Sequence, residues 1–160
     1  MMLPSEIPVT FFVDARAQLR NEQCLSPRAL ADRIREMVAA EKARLPWLKL
    51  ARFGDRRSDK NSLRHDGNVD KISGVELDYD GGEIGFDAAV RTLKSVNLAA
   101  IVYTSPSHTP DAPRWRILAP TSHDMPPEAR YQLVARINGL FGGIFADESF
   151  TLSQSYYYGQ

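Results

Sequence analysis

Two aspartates, Asp78 and Asp80, stand where a pair of carboxylates can do chemistry. They end a segment in which apolar and acidic residues alternate, residues 75–80 (V-E-L-D-Y-D), the pattern of a half-buried strand. Residues two apart in a strand share a face, so we expect the two carboxylates to project side by side. Such carboxylates repel one another unless a cation lies between them, and oxygen ligands favour Mg²⁺ or Mn²⁺. The pattern is short, so solvated acids before the Gly81-Gly82 turn remain an alternative.

Other polar residues follow where the chain order can bring them near the end of this strand. His108 lies in a Pro- and Ser-rich segment, residues 104–113, and Arg114 and Arg116 begin the next strand-like run. We expect this segment and the run after it to lie beside the two acids. Acids, a histidine and arginines that converge in this way suit metal-dependent phosphoryl transfer, in which cations bridge phosphate oxygens and basic groups offset charge.

Hydrophobic periodicity predicts the elements that must position these residues. Strands are expected at residues 7–13, 47–53, 72–80, 98–103 and 114–119, with a last one before residue 158. Helices are expected from Ser26-Pro27 to Pro46, over residues 87–96, and from Pro126-Pro127 to Gly142-Gly143. The polar segment 54–71 is rich in basic residues and is expected to stay outside the core. The second half therefore has β-α-β-β-α-β order, that of ferredoxin-like and RRM-like domains.

The composition is that of an ordinary globular domain. At 160 residues, with 43% hydrophobic and 25% charged residues, the chain is long enough for one domain with a core. Lys+Arg and Asp+Glu balance at 20 each, so only a local basic patch can argue for nucleic-acid binding. The single cysteine, Cys24, excludes an intramolecular disulfide and a cysteine-based zinc site. No transmembrane-length apolar run or signal peptide is found, so we predict a cytoplasmic protein.

Four motifs together resemble a known family. Residues 76–80 read E-L-D-Y-D, residues 104–109 T-S-P-S-H-T, residues 113–118 P-R-W-R-I-L, and residues 145–159 F-A-D-E-S-F-T-L-S-Q-S-Y-Y-Y-G. In order and spacing they are similar to the D-x-D/E, s-x-H and late-acid motifs of the archaeo-eukaryotic primase (AEP) superfamily. The resemblance is greatest to the primase-polymerase (prim-pol) proteins of phages, plasmids and integrated elements. It covers roughly residues 60–160, and the combination of the first two motifs makes it specific.

The resemblance implies a role for each matching residue. Three carboxylates would bind the metal ions and, with His108, form the catalytic set: Asp78, Asp80 and Asp147. Three other acids compete for the third position: Glu148, Asp111 and Asp124. Phosphates of the incoming nucleotide would be bound by hydroxyl, imidazole and guanidinium groups: Ser105, Ser107, His108, Arg114 and Arg116. Two basic side chains of the polar segment would reach phosphates of the nucleotide or the template: Lys60 and Arg64.

The same resemblance implies an α+β fold and an activity. Residues 71–160 would form an RRM-like or ferredoxin-like palm, and residues 1–70 an N-terminal α/β part with a basic loop, together one prim-pol catalytic domain. The implied activity is that of a metal-dependent, template-directed nucleotidyltransferase, a DNA primase or DNA polymerase core using two Mg²⁺ or Mn²⁺ ions. Its partners would be a single-stranded DNA template, a primer and nucleoside triphosphates. Prim-pol proteins of mobile elements commonly continue into a helicase, which leaves open that the chain is part of a longer protein.

The residues themselves leave two other functions open. The same acids would serve a metal-dependent nuclease. A non-catalytic RRM-like nucleic-acid-binding module in replication initiation would tolerate the loss of Asp78 and Asp80, because acids repel DNA phosphates. The aromatic residues Trp47, Trp115 and those at 156–158 are expected to belong mainly to the core. The sequence therefore predicts no clear stacking surface for bases.

Overall fold

A computed structural model describes residues 4–160 of the chain. Its strands are β1 (Ile7–Phe12), β2 (Arg20–Leu25), β3 (Trp47–Lys49), β4 (Ala51–Phe53), β5 (Val69–Tyr79), β6 (Ile101–Thr104), β7 (Trp115–Met125) and β8 (Tyr156–Tyr157). Its α-helices are α1 (Pro27–Glu36), α2 (Phe86–Ser95) and α3 (Ala129–Leu140). Short 3₁₀ turns cover Lys42–Arg44, Asp66–Asn68 and Asp147–Phe150. No helix in this part of the chain has the length and apolar character needed to cross a membrane.

The strands form two antiparallel sheets, ordered β2-β1-β3-β8 and β4-β5-β7-β6. The chain passes from the first sheet to the second at Leu50, between β3 and β4. The sequence predicts a single strand there, and this prediction is wrong. Leu50 is fully buried, and its backbone N–H donates to Glu76 Oε1 at 2.5 Å, so a buried side chain of β5 takes the bond that a continuous ladder would supply.

The second sheet has a different partner on each face. One face packs against α2 and α3 through a cluster that contains Leu77, Trp115 and Val134. The other face packs against the first sheet and α1 through a cluster that joins Leu118 to Leu48 and Leu30. Gly74 on β5 has no room for a side chain, because a Cβ there would lie 2.6 Å from Leu50 Cδ1 and 2.7 Å from the carbonyl oxygen of Ala119 on the neighbouring strand β7.

Helix α1 begins as its sequence predicts and ends earlier. The Ser26 side chain accepts a hydrogen bond from Ala29 N at 3.1 Å, and proline occupies the first helical position. Leu30 and Ile34, four residues apart, are its buried residues. The predicted continuation to Pro46 is wrong, because the chain turns extended at Met37 and enters the 3₁₀ turn that contains Lys42.

The α+β class is confirmed, whereas the predicted palm arrangement is not. The order β5-α2-β6-β7-α3-β8 follows the expected pattern along the chain, but β8 pairs with β3 in the first sheet. The edge of β5 is already occupied by β4, in a ladder that pairs Ala51 with Ile72. The sequence also missed β2, whose polar residues suit an edge strand with an exposed face.

Part of the polar segment before β5 belongs to the core, contrary to expectation. Leu63 is 6% exposed and packs with Phe12 and Phe53, while Asn68 is fully buried. The Asn68 side-chain amide donates to the carbonyl oxygens of Leu63 and Gly54, and its Oδ1 accepts from Arg56 N. Burial is tolerated because these bonds satisfy the amide.

Candidate active site

A cleft of about 220 Å³ lies at the end of β5, where Asp78 and Asp80 are found. Most of its lining is polar or aromatic: Lys42, Trp47, Asp78, Tyr79, Asp80, Ser105, Ser107, Arg114, Arg116, Glu148, Gln154, Tyr156 and Tyr157. Asp78 and Asp80 therefore share one cleft, as their spacing predicts, and three acids face three basic side chains there. Because these charges balance, the cleft has no large net charge, and it offers basic groups to a phosphorylated ligand and acids to a cation.

Asp78 is paired with a buried arginine across the sheet. The register places Asp78 of β5 opposite Arg116 of β7, and Arg116 Nε donates to Asp78 Oδ1 at 2.5 Å. Burial raises the pKa of Asp78 above its usual value, the Arg116 charge opposes this rise, and the charges of Asp80 and Glu148 add to it. The direction indicates that burial and the two acids outweigh the single guanidinium. A further cation in the cleft would favour the ionised carboxylate.

The backbone of Asp78 is tied to the 3₁₀ turn Asp147–Phe150. Asp78 N donates to Ser149 Oγ at 3.0 Å, and Asp78 O accepts from Ala146 N at 3.0 Å. This attachment directs Glu148 into the cleft and leaves Asp147 outside it, although both are exposed. Glu148, which the sequence analysis gave only as a competitor of Asp147 for the third acid, is therefore the acid that shares the cleft with Asp78.

The two arginines expected to act alike have different environments. Arg116 is 4% exposed, its NH1 donates to Tyr157 O at 2.7 Å, and its guanidinium lies over the rings of Tyr156 and Tyr157. Arg114 precedes β7 and is exposed. Arg116 is therefore committed to internal contacts, whereas Arg114 is available to a ligand.

The loop after β6 contributes hydroxyl groups to the cleft and directs its histidine elsewhere. Ser105 and Ser107 line the cleft, and Lys42 Nζ donates to Ser107 Oγ at 3.2 Å. His108 lines an adjoining cavity of about 560 Å³, which shares Ser105 with the cleft. Its Nδ1 accepts a hydrogen bond from Arg114 N at 3.1 Å. In this arrangement His108 contacts the backbone that carries Arg114.

Two half-buried aromatic residues, Trp47 and Tyr157, line the cleft from adjacent strands. They are paired between β3 and β8, with ring centroids 5.3 Å apart and planes at 79°. The expectation that the aromatic residues belong to the core is confirmed for Trp115, Tyr156 and Tyr158. It holds only in part for this pair: Trp47 packs against the core cluster of Phe12 and Phe53, yet both rings also line the cleft, because the position of β8 in the first sheet was not foreseen.

The two basic residues of the polar segment lie in a different pocket. Lys60 and Arg64 line a concavity of about 490 Å³ between this segment and the loop after β1. Arg64 also lies beside the cleft, since its guanidinium carbon is 5.3 Å from the ring centroid of Trp47. The structure therefore separates these residues from Asp78 and Asp80, with Trp47 between the two groups.

A buried ionic network supports the cleft from behind. Glu76, two residues before Asp78, accepts from Lys49 Nζ at 2.7 Å and from Arg130 NH2 at 2.9 Å, and all three residues are essentially unexposed. Burial alone would raise the pKa of Glu76, but the charges of Lys49 and Arg130 outweigh it and hold the pKa below its usual value. Arg130 NH1 also donates to Ser149 O at 2.6 Å. The network thus links α3 to the turn that holds Asp78.

Sequence reasoning missed Lys42 and ranked Glu148 below its neighbour. Lys42 lies in a polar stretch without periodicity, so no signal in the sequence connects it with residues 65 positions later. The only indication for Glu148 was its place beside Asp147 in the fourth motif. Both reach the cleft through contacts between distant segments.

The oxygen ligands of the cleft suit a cation that is also bound by water and substrate phosphates. In residues 4–160 no group of three or more His, Cys, Asp or Glu side chains is arranged to hold a metal ion. Asp78 and Asp80 share the cleft, with Arg116 on one oxygen of Asp78. Mg²⁺ is commonly bound through one or two carboxylates together with substrate phosphates and water. Two carboxylates thus suit a hard divalent ion that arrives with a phosphorylated substrate.

A solved structure resembles most of the chain in fold. This structure is the AEP domain of the Cyanophage S-2L Primase-Polymerase (PrimPol), and it matches with a TM-score of 0.50 and 12% sequence identity. The match covers 96% of this chain and 72% of the other. At this identity the similarity is one of fold. No protein-family model matches the sequence, and no curated protein matches it.

Proposed function

We propose that the protein is a metal-dependent nucleotidyltransferase, the catalytic domain of a DNA primase or polymerase, spanning residues 1–160. The observation that carries the proposal is the cleft in which Asp78 and Asp80 face Lys42 and Arg114. Such a cleft suits nucleotidyl transfer, in which cations offset the charge of the phosphates. The fold likeness to a primase-polymerase AEP domain also supports the proposal. The substrates would be a single-stranded template, a primer and a nucleoside triphosphate.

Asp78 and Asp80 would hold Mg²⁺ or Mn²⁺. Bound there, the cation would polarise phosphate oxygens and lower the pKa of a coordinated hydroxyl. Arg116 holds one oxygen of Asp78, and the Ser149 hydroxyl holds its backbone N–H, so this carboxylate is oriented before any ligand binds. Such preorganisation lowers the cost of reaching a reactive geometry.

Lys42 and Arg114 would bind the triphosphate, because both are cations of the cleft and Arg114 is exposed. Ser105 and Ser107 would donate hydroxyl hydrogen bonds to the same phosphates. His108 would act from the adjoining cavity, where its bond to Arg114 N fixes the start of β7. A direct contact between His108 and a nucleotide phosphate remains a prediction.

The proposal is tested by primer extension on a single-stranded DNA template with Mg²⁺ or Mn²⁺. Asp80→Ala removes an exposed cleft carboxylate, and Asp70→Ala is its matched control, an exposed aspartate at the other end of β5. We expect metal-dependent extension that Asp80→Ala abolishes and Asp70→Ala retains. Metal-dependent shortening of the primer would instead identify a nuclease. If neither reaction occurs and both variants bind DNA equally, the protein is a binding module.

A further inference from the structure

A second polar site, which we call the basic pocket, lies between the loop after β1 and the polar segment before β5. Its volume is about 490 Å³, and beside Ala15 it is lined by six polar side chains: Arg16, Gln18, Ser58, Lys60, Ser62 and Arg64. Three of these are cations, and none is an acid. The nearest acids in sequence, Asp14 and Asp59, are not part of the lining.

The pocket has a defined internal scaffold. Leu63 anchors its wall in the core, and Leu63 N donates to Ala17 O at 2.9 Å. Arg57 NH1 joins the two walls by donating to Gln18 O and Asn61 O, each at 3.1 Å. Ala17 and Asn61 both adopt left-handed backbone, with φ of 52° and 59°. These bonds form the pocket from the chain's own residues, without a ligand.

The groups that face the pocket suit phosphate oxygens. Ser58 Oγ accepts from Ser62 N at 3.3 Å and Ser62 Oγ accepts from Arg64 N at 3.1 Å, so each hydroxyl keeps its proton to donate outward. Among residues 4–160, Arg16, Lys60 and Arg64 take part in no ion pair. Cations and hydroxyls without a counter-charge are the usual surroundings of a bound phosphate.

Arg64 connects the basic pocket to the cleft. Its NH2 donates to Ala15 O at 3.0 Å within the pocket, while its guanidinium lies over Trp47, which lines the cleft. The Arg64 Nε is buried without a hydrogen-bond partner in the described chain, and burial lowers the pKa of this side chain. A nucleic-acid strand that leaves the cleft past Trp47 would therefore reach the basic pocket next.

We propose that the basic pocket binds the phosphate backbone of a single-stranded nucleic acid whose neighbouring part lies in the cleft. Arg16 and Lys60, both exposed, contact phosphates by charge, and Ser58 and Ser62 add hydrogen bonds. The cleft is small, with a volume of about 220 Å³, so a second phosphate site gives a polynucleotide a longer contact. This assignment rests on the proposed function only in taking nucleic acid as the substrate.

The test is a binding titration without nucleotide and with EDTA, so that catalysis plays no part. The probe is single-stranded DNA of about 20 nucleotides, enough to span both sites, labelled at its 3′ end with fluorescein and followed by anisotropy over a range of NaCl concentrations. The variant is Arg16→Ala/Lys60→Ala, and the control is Arg91→Ala/Lys94→Ala, two exposed cations of α2 outside both sites. Thermal unfolding verifies that both double variants are folded.

The loss of two phosphate contacts should weaken binding about 25-fold at 0.1 M salt and reduce the salt slope by about 1.4, because each single-strand contact contributes about 0.7. The control should match the wild type. Equal binding and slope in the Arg16/Lys60 variant would overturn the proposal while leaving the extension test of Asp80→Ala unaffected. In a second titration, ATP or inorganic phosphate is added as a competitor of the DNA. If the Arg16/Lys60 variant binds DNA as the wild type does but these competitors no longer act on it, the pocket is a site for free phosphates and the proposal is overturned.

Discussion

Replacing Arg116 with methionine removes the cation that faces Asp78 and keeps much of the apolar volume. Arg116 is 4% exposed, and the Asp78 side chain keeps 12% of its exposure at the cleft. Removing one partner of a buried ion pair costs about 3–5 kcal/mol, because the other charge is left uncompensated. Because Asp78 is partly open to the cleft, we expect the free energy of unfolding to fall by an amount at the lower end of this range, about 3 kcal/mol.

The loss is measured by urea unfolding at pH 7, with Arg114→Met as the matched control. Arg114 has the same chemistry two residues away but is exposed, so its replacement should change the free energy of unfolding by less than about 0.5 kcal/mol. If Arg116→Met is as stable as the wild type, the inference that this pair is a buried constraint is refuted.

The same variant reports on the metal-binding proposal. Without Arg116, both oxygens of the Asp78 carboxylate, rather than one, are available to a cation together with Asp80. Mg²⁺ or Mn²⁺ at a hundred times its dissociation constant would return about 2.7 kcal/mol. The double variant Asp78→Asn/Arg116→Met should gain much less, since the carboxylate proposed to bind the metal is gone. Equal metal responses in the two variants would refute the assignment of Asp78 to the metal site.

Two further changes test the surroundings of the cleft. With Asp78 and Asp80 as the proposed metal ligands, Glu148→Ala should reduce primer extension about 10-fold or more, as is usual for residues beside metal ligands. Asp147 lies outside the cleft, so Asp147→Ala should stay within about twofold of the wild type. Equal effects of the two changes in rate assays would contradict this assignment. Burial lowers the pKa of Lys49 to about 8 from an unfolded value of 10.5, so the unfolded chain binds more protons between these values and stability should rise with pH there. Urea unfolding across pH 8 to 10.5 should show this rise, up to about 3 kcal/mol, in the wild type. Lys49→Met should lack it, and parallel pH profiles in the two proteins would show that Lys49 is not responsible.

Strong local periodicity was enough to predict several elements of the fold. The helix predicted at residues 87–96 is α2, Phe86–Ser95, and the capped start at Ser26 is the start of α1. Both signals depend on contacts within one or two turns. The common cleft of Asp78 and Asp80 was predictable for the same reason, since the side-chain period of a strand is local.

Strand pairing was the part of the fold that local patterns did not predict. Residues 47–53 read as one strand, yet they contribute to two sheets because Leu50 N bonds to Glu76, 26 residues away. The two-residue strand β8 joins Trp47, and this pairing places Tyr157 in the cleft. Such choices depend on which distant edge is free, and a linear pattern carries no record of that.

The sequence by itself determined the acidic strand, its two aspartates, the basic character of residues 54–71 and the α+β class. Only the tertiary structure decided how these parts meet. It buried Arg116 against Asp78 and exposed Arg114, although the two residues are identical in type and two apart. It also brought Glu148 and Lys42 to the cleft. The physical reason is that charge and burial belong to the assembled surface, where each side chain's neighbours come from remote segments that only packing can bring together.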